Sequence, residues 1–301
     1  MLPKQVIHRS LQLIGLDVLR HRPGGWPWSH TVFDYYPVNP DPRWGHGKPL
    51  HPQIDQILAS QRNQFASLLD QMAATEVILK EMPRQTNEPT MPYWDNGFFL
   101  YCHNGFFEGL DAAVLVGMLL LKRPKRYIEI GSGSSTKFAR LTINTANLDT
   151  QIISIDPYPR AEIDQLCSTL IRQPLENCCQ EVLDIVRPGD ILFFDGSHRV
   201  FTNSDVTVFF LELLPKVPAG VIIHLHDIFL PADYPPIWNK RLYSEQYILG
   251  ALLLTKSPPF RILLPNYYAC IEPTLSARAT KLVQSKLGAV DGSSFWIESV
   301  P

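Results

Sequence analysis

From residue 105 onward the chain alternates between helical periods and short apolar runs, and this alternation restricts the fold more than any other feature of its 301 residues. A helix at about 108–121 leads into the strand "RYIEI", a Gly/Ser turn and the helix "TKFARLTINTA". The strand "QIISID" and an expected helix "AEIDQLCSTLI" come next. "DILFFD" and "GVIIHLH" supply two further strands around the helix "SDVTVFFLELLPKV". The helix "SEQYILGALLLTK" is followed by two candidate strands, "FRILLP" and "SSFWIES". Strands that alternate with helices cannot pair as hairpins, so the order predicts a mostly parallel sheet with helices on both faces, a Rossmann-like α/β fold.

In such a sheet the ligand lies beyond the carboxyl ends of the strands, near the point where strand order reverses. Polar residues collect at those ends. "EIGSGSST" places Glu129 at a strand end, then Gly131, Ser132, Gly133 and Ser135 at the entrance to a helix. Glycines let a ligand approach the backbone, and a helix start offers unpaired N–H donors to an anionic group. No GK[ST] follows, which disfavours a nucleotide-hydrolysing loop. Asp156 ends the next strand, 25 residues after Gly131, where a carboxylate can accept hydrogen bonds from ribose hydroxyls. That demand is common to dinucleotides and adenosyl cofactors.

Two later strand ends carry a second group of polar residues. "DILFFDGSH" supplies Asp195 and, three residues on, His198. "VIIHLHD" supplies His224, His226 and Asp227, with His224 and His226 on one strand face. His224 reads as a hydrogen-bonded packing residue, and Asp205 as the cap or first residue of its helix.

Residues 105–298 resemble the class I S-adenosylmethionine-dependent methyltransferases, through "EIGSGSST", "SIDPYPR", "DILFFDGSH" and "GVIIHLHDIFLPADYPP". "SEQYILGALL" and "SSFWIES" are similar to elements of a bacterial branch that includes enzymes O-methylating sugars on natural products. The resemblance implies a seven-stranded sheet with S-adenosylmethionine across the first two strand ends. Glu129 would lie near its amino group and Asp156 on its ribose, with Gly131, Ser132, Gly133, Ser135 and Asp195 around it. It further implies His198 as general base with Asp195 as a second catalytic residue, and Asp195, His226 and Asp227 as ligands of a divalent cation. Two positions depart from the family: Ser135 replaces a third glycine, and His226 stands where relatives carry an acid. An imidazole suits zinc or manganese better than magnesium.

The expected reaction is O-methylation of a hydroxyl on a small-molecule acceptor, such as a sugar or polyol, in natural-product biosynthesis. Two other classes fit some of the same residues. A facial His/Asp site on this fold would serve a metal-dependent oxygenase or hydrolase, and a chain keeping the fold without the chemistry would be a cofactor-binding protein. A formal charge of -2, with no basic run interleaved with aromatics, argues against nucleic acid. Five irregularly spaced cysteines argue against a disulfide framework and for a cytoplasmic setting. "AAVLVGMLLL" is too short to span a membrane, and the start makes a poor signal peptide.

Residues 1–104 read as an extension, a lid or assembly arm, ahead of a methyltransferase domain at 105–301. An amphipathic helix at 4–21 suits packing on the chain itself or on a second copy in a homo-oligomer. A Pro- and aromatic-rich stretch at 22–52 carries Trp26, Trp28, Tyr35, Tyr36 and Trp44, and a long helix is expected over 54–82.

Overall fold

The computed structural model describes residues 40–72, 75–80, 107–159, 162–283 and 290–301. The helix expected at 4–21, most of the aromatic arm and the boundary at 104 lie outside these residues. Asn39–Pro301 forms one compact unit, so the helices from Pro52 onward belong with the sheet. The long helix expected over 54–82 is divided into α1 (Pro52–Ser60), α2 (Arg62–Gln71) and α3 (Thr75–Lys80). The first break falls at Gln61, whose φ of -106° and ψ of 8° leave the helical region.

The sheet contains β1 (Arg126–Ile130), β2 (Gln151–Ile155), β3 (Thr169–Ile171), β4 (Ile191–Phe194), β5 (Ile222–Leu225), β6 (Phe260–Pro265) and β7 (Phe295–Ser299), in the order β3-β2-β1-β4-β5-β7-β6. Strands β1 to β5 pair in parallel, while β7 enters antiparallel between β5 and β6. β4 and β5 are buried at every position, as expected for parallel strands covered on both faces. The short edge strand β3 occupies part of the segment expected to be helical. Ile163 and Leu166 have helical spacing, but a single turn at Asp164–Leu166 accommodates both, and the chain then extends to pair with β2. The helix over Leu175–Ile185 has no counterpart in the sequence reading.

The helix α4 (Gly109–Lys122) is buried on all sides from Gly109 to Leu119. It is an interior helix, which is why its sequence carries no polar face. It packs on α5 (Ser134–Thr145), on α3 and on α10 (Pro273–Val283), the second of two helices after β6; the first is α9 (Asn266–Ile271). Gly117 is required at one crossing, since a Cβ there would come within 2.7 Å of the Met72 side chain. α2 packs on α10 and β6, closing that side of the sheet. No helix among the described residues is long and apolar enough to cross a membrane.

Strand order reverses at β1, which has β2 on one side and β4 on the other. The crevice therefore opens beyond Ile130 and Phe194. At the opposite, amino-terminal end, Asp190 ties the approaches of β1 and β4 together. Its carboxylate accepts the Arg126 N–H at 3.1 Å, the Arg126 Nε–H at 2.7 Å and the Arg187 N–H at 2.9 Å, with the residue 1% exposed. Asp190→Ala leaves these donors without an acceptor in a dry environment, and stability should fall by about 3 kcal/mol. Urea unfolding measures this; a loss below about 1 kcal/mol would show that the donors find other partners.

Candidate functional site

The turn after β1 is set by backbone contact between β1 and β4. Gly131 has φ +85°, and a Cβ there would lie 2.0 Å from the Asp195 carbonyl oxygen, so only glycine fits. Asp195 N–H donates to the Ile130 carbonyl at 2.9 Å, and Gly131 N–H to the Ile155 carbonyl at 3.0 Å. The ends of β2, β1 and β4 are thus laced together at one place.

Glu129 lies beneath this turn and is completely buried. It accepts hydrogen bonds from Tyr127 Oη at 3.0 Å, from Ser135 Oγ at 2.5 Å and from Thr136 Oγ1. Burial raises its carboxyl to about 7, opposed by these hydroxyls. Both oxygens are engaged by the protein, so Glu129 braces the turn from beneath. The serine at 135, where the resemblance expects a third glycine, thereby gains a role as a donor to Glu129. Above the turn the backbone is open: a Cβ at Gly133 would meet no atom within 4 Å. Asp156 Oδ2 accepts the Ser132 N–H at 3.0 Å and Oδ1 the Tyr158 N–H at 2.8 Å, so each oxygen keeps further acceptor capacity. The turn, the start of α5 and Asp156 form a cradle suited to an adenosyl group.

The second group lies where β4 and β5 end. Asp227 has φ +56° and His198 φ +60°, two left-handed residues that turn their side chains back over the strand ends. His198 Nε2 lies 3.2 Å from Asp195 Oδ1 and 3.5 Å from Asp227 Oδ2. His226 Nδ1 lies 3.4 Å from Asp195 Oδ1 and 3.5 Å from Asp227 Oδ1. Among the described residues one trio, Asp195, His198 and Asp227, has three ligand atoms all within 4.8 Å of one another. The third converging donor is therefore His198, where the sequence reading set His226. His226 stands beside it with a buried Nδ1 that has no hydrogen-bond partner.

Two carboxylates that the sequence reading passed over complete the cluster. Glu245 opens the helix α8 (Glu245–Leu253) and pairs with His198 Nδ1 at 2.7 Å. Asp111, from α4, lies 3.5 Å from His226 Nε2 and accepts hydrogen bonds from Asn266 Nδ2 and the Ser293 and Ser294 N–H groups, each at 2.8 Å. Each imidazole thus has one nitrogen at a buried acid and the other facing the Asp195–Asp227 pair. Asp111 was hidden inside an apolar helix and Glu245 in a segment read only as helical. An acid at an otherwise buried helical position was the available signal.

The electrostatics follow from this crowding. Burial favours neutral rings, yet Glu245 and Asp195 hold His198 well above the usual imidazole range, and Asp195 and Asp227 do the same for His226. Burial alone would raise the Asp195 carboxyl, but His226 and His198 bring it well below the ordinary carboxylate range. Burial raises Glu245 to about 7, opposed by His198. His224 behaves differently: burial pushes it well below the imidazole range, with Nε2 on Ser294 Oγ at 2.7 Å and the ring stacked 3.8 Å from Trp296. Asp205 is the first residue of its helix and accepts hydrogen bonds from Ser197 N–H and Oγ, at 2.6 and 2.5 Å, bracing the loop that carries His198.

Residues 128–228 match a family model described as a methyltransferase domain. An uncharacterized protein of Archaeoglobus fulgidus is 33% identical over 96 residues, 30% of this chain and 43% of that protein, so the chain spans less than half the length of the curated relative it matches. Among solved structures, the SAH-bound methyltransferase PaMTH1 of Podospora anserina is similar at 16% identity, covering 63% of this chain and 78% of that one, with a TM-score of 0.40. A putative methyltransferase from Thermobifida fusca is similar at 13% identity, covering 64% and 83%, with a TM-score of 0.37. Mycolic acid cyclopropane synthase CmaA1, complexed with SAH and CTAB, gives 13% identity, 78% and 96%, and a TM-score of 0.30.

Glu129 makes the turn sensitive to pH. Its carboxyl rises from an ordinary 4.5 to about 7 on folding, so the folded state holds an extra proton between those values. The stabilisation is fully present below about pH 4.5 and is lost as pH climbs through 7, a change of up to roughly 3 kcal/mol. Glu129→Gln, which keeps partners for all three hydroxyls, should flatten the decline between pH 5 and 8 and unfold later than the parent at pH 8. Denaturant titrations of both proteins across that range decide it; superimposable pH profiles would show that Glu129 does not titrate.

Proposed function

We propose, from the methyltransferase-domain model that residues 128–228 match, that the chain is a class I S-adenosylmethionine-dependent methyltransferase and that it methylates a hydroxyl of a small molecule, a sugar or polyol, at a divalent cation held by Asp195, His198 and Asp227. The observation that carries this reading is the convergence of two carboxylates and one imidazole nitrogen within 4.8 Å, at strand ends that share the Gly131–Asp195 backbone contact with the donor turn. With Nδ1–H donated to Glu245, the Nε2 lone pair of His198 faces two carboxylate oxygens. Lone pairs crowded in this way repel unless a proton or a cation lies between them. Four carboxylates, Asp111, Asp195, Asp227 and Glu245, outnumber the two imidazoles even when both rings are protonated. A divalent cation suits that imbalance, and the acid-backed histidine is a common ligand arrangement.

The donor supplies a methyl group on a positively charged sulfur, so the S–C bond breaks as the O–C bond forms and the hydroxyl proton must leave. The protein's part is to position, deprotonate and stabilise charge. Gly131, Ser132, Gly133 and the start of α5 would hold the donor, with Asp156 accepting from its ribose. Asp195 sits between the two sites, its backbone on the donor turn and its side chain in the acid cluster. The carboxylates and His198 would hold a cation that lowers the proton affinity of the acceptor hydroxyl. Glu245 fixes the His198 tautomer.

A second arrangement is favoured by the unpartnered His226 Nδ1: His226 ligates with Asp195 and Asp227, and His198 is left to remove the proton. An unliganded His198 held well above the imidazole range is protonated at neutral pH and cannot accept a proton. The base role therefore requires something to neutralise the surrounding carboxylates.

Cation binding and donor binding separate these readings without knowledge of the acceptor. Manganese should bind the chelator-treated protein. Asp195→Asn and Asp227→Asn should each weaken it at least tenfold, with S-adenosylhomocysteine still bound to the Asp227→Asn protein. His198→Ala should weaken manganese binding roughly tenfold to a hundredfold if His198 is the ligand, and His226→Ala should do so in the second arrangement. Absence of manganese binding would sink the cation proposal. Absence of S-adenosylhomocysteine binding would overturn the methyl-transfer reading itself.

A further inference from the structure

The wall beside the acid cluster has the opposite charge. Tyr243 packs its ring 4.4 Å from that of His198 and so begins where the cluster ends. Two guanidinium carbons approach this ring, Arg199 at 5.5 Å and Arg241 at 5.6 Å. Arg241 also lies 3.9 Å over the ring of Trp238, which meets Tyr243 edge-on at 5.6 Å. Arg199 is anchored by Nε–H to the Arg241 carbonyl at 2.9 Å and Nη1–H to the Ser197 carbonyl at 3.2 Å. The His198 loop is thereby tied to the turn Pro236–Arg241.

Neither guanidinium has a carboxylate within 4.0 Å among the described residues, although the chain as a whole has more acids than bases. The Arg241 side chain is exposed and lies over two ring faces. A guanidinium held over aromatic rings keeps N–H donors for an outside acceptor. The carboxylates a few ångströms away would repel an anion that entered the cluster. An acceptor that satisfies both regions places a neutral hydroxyl inward and a negative group outward.

Resting on the methyl-transfer reading above, we propose that the acceptor is a phosphate ester: its ring or sugar packs beside Tyr243 and Trp238, its phosphate pairs with Arg241 and Arg199, and its hydroxyl reaches the Asp195–His198–Asp227 cluster. Two guanidiniums around one ring offer more donors than a single carboxylate can accept, and tetrahedral phosphate oxygens use them better. The aromatic faces suit either a sugar ring or a base, so simple sugar phosphates and nucleotide-linked sugars share the chemistry that this wall reads.

The test uses the full chain with S-adenosylhomocysteine present, and calorimetric titration of glucose 1-phosphate and phenyl phosphate against glucose, phenol and inorganic phosphate. At least one ester should bind more tightly than its neutral counterpart and than inorganic phosphate. Arg241→Gln, at an exposed position, should weaken that ester at least tenfold with S-adenosylhomocysteine affinity unchanged, and Arg241→Lys should restore only part of the loss because it keeps the charge and lacks the fork. Neither ester binding, or esters binding equally to the parent and Arg241→Gln proteins, overturns the phosphate site. Equal binding of the neutral compounds does the same. Failure of S-adenosylhomocysteine to bind would instead count against the methyltransferase reading, so the two failures are distinct.

Discussion

The contact on which the site depends is between two backbones. Where β1 ends, Gly131 leaves room for the Asp195 carbonyl oxygen at a distance no side chain could permit. That closeness sets the turn at φ +85°, aims the following residues at the start of α5, and brings the end of β4 alongside. It also makes one residue common to two regions: the main chain of Asp195 shapes the glycine turn, while its carboxylate stands in the acid cluster. Parallel strands permit this because their carboxyl ends lie at one edge of the sheet and the order reverses there.

The acid cluster could not be stable as an isolated collection of charges. The three buried carboxylates beside the partly exposed Asp195 are tolerated because donors the fold supplies bind them. Asp111 takes three hydrogen bonds from the α9 and β7 approaches, Glu245 is paired with His198, and Asp227 accepts from Ser293 Oγ at 3.2 Å. The insertion of β7 between β5 and β6 matters for this reason. It brings Ser293 and Ser294, at the entrance to that strand, up to Asp227 and Asp111. The approach to an antiparallel strand inside the sheet thereby supplies donors to the cluster.

The parallel core was legible because period and length agreed: "RYIEI", "DILFFD" and "VIIHL" are too short for helices and too apolar for loops. The tight turn after β1 was legible because its glycines fall at a strand-to-helix junction. Strand β3 was not, because its two apolar residues continue a helical spacing that the chain abandons after one turn. The donor list of the cluster was only partly legible. Asp195, His198, His226 and Asp227 follow their strands directly, whereas Asp111 and Glu245 arrive from helices distant in sequence. Periodicity assigns a residue to a face and does not reveal what another element brings to that face.

The histidines of "HLHD" show the same limit within a single strand. His224 and His226 share a face by the two-residue period, and both rings are buried. Their chemistry nevertheless diverges over one step along the chain. His224 lies between Phe193 and Trp296, with one hydroxyl as partner; burial and the neighbouring His226 outweigh the pull of Asp111 and Asp195, and the neutral ring is favoured. His226 lies just beyond the last paired residue of β5, where three carboxylates surround it and reverse that preference. Burial is nearly equal, so it cannot be what separates them; the strand ends between the two residues, and past that end the helix α4 and the left-handed turn at Asp227 contribute acids. The polar end of this strand is thus a stacked packing residue followed by a member of the acid cluster, and the boundary between the two environments is the edge of the sheet itself.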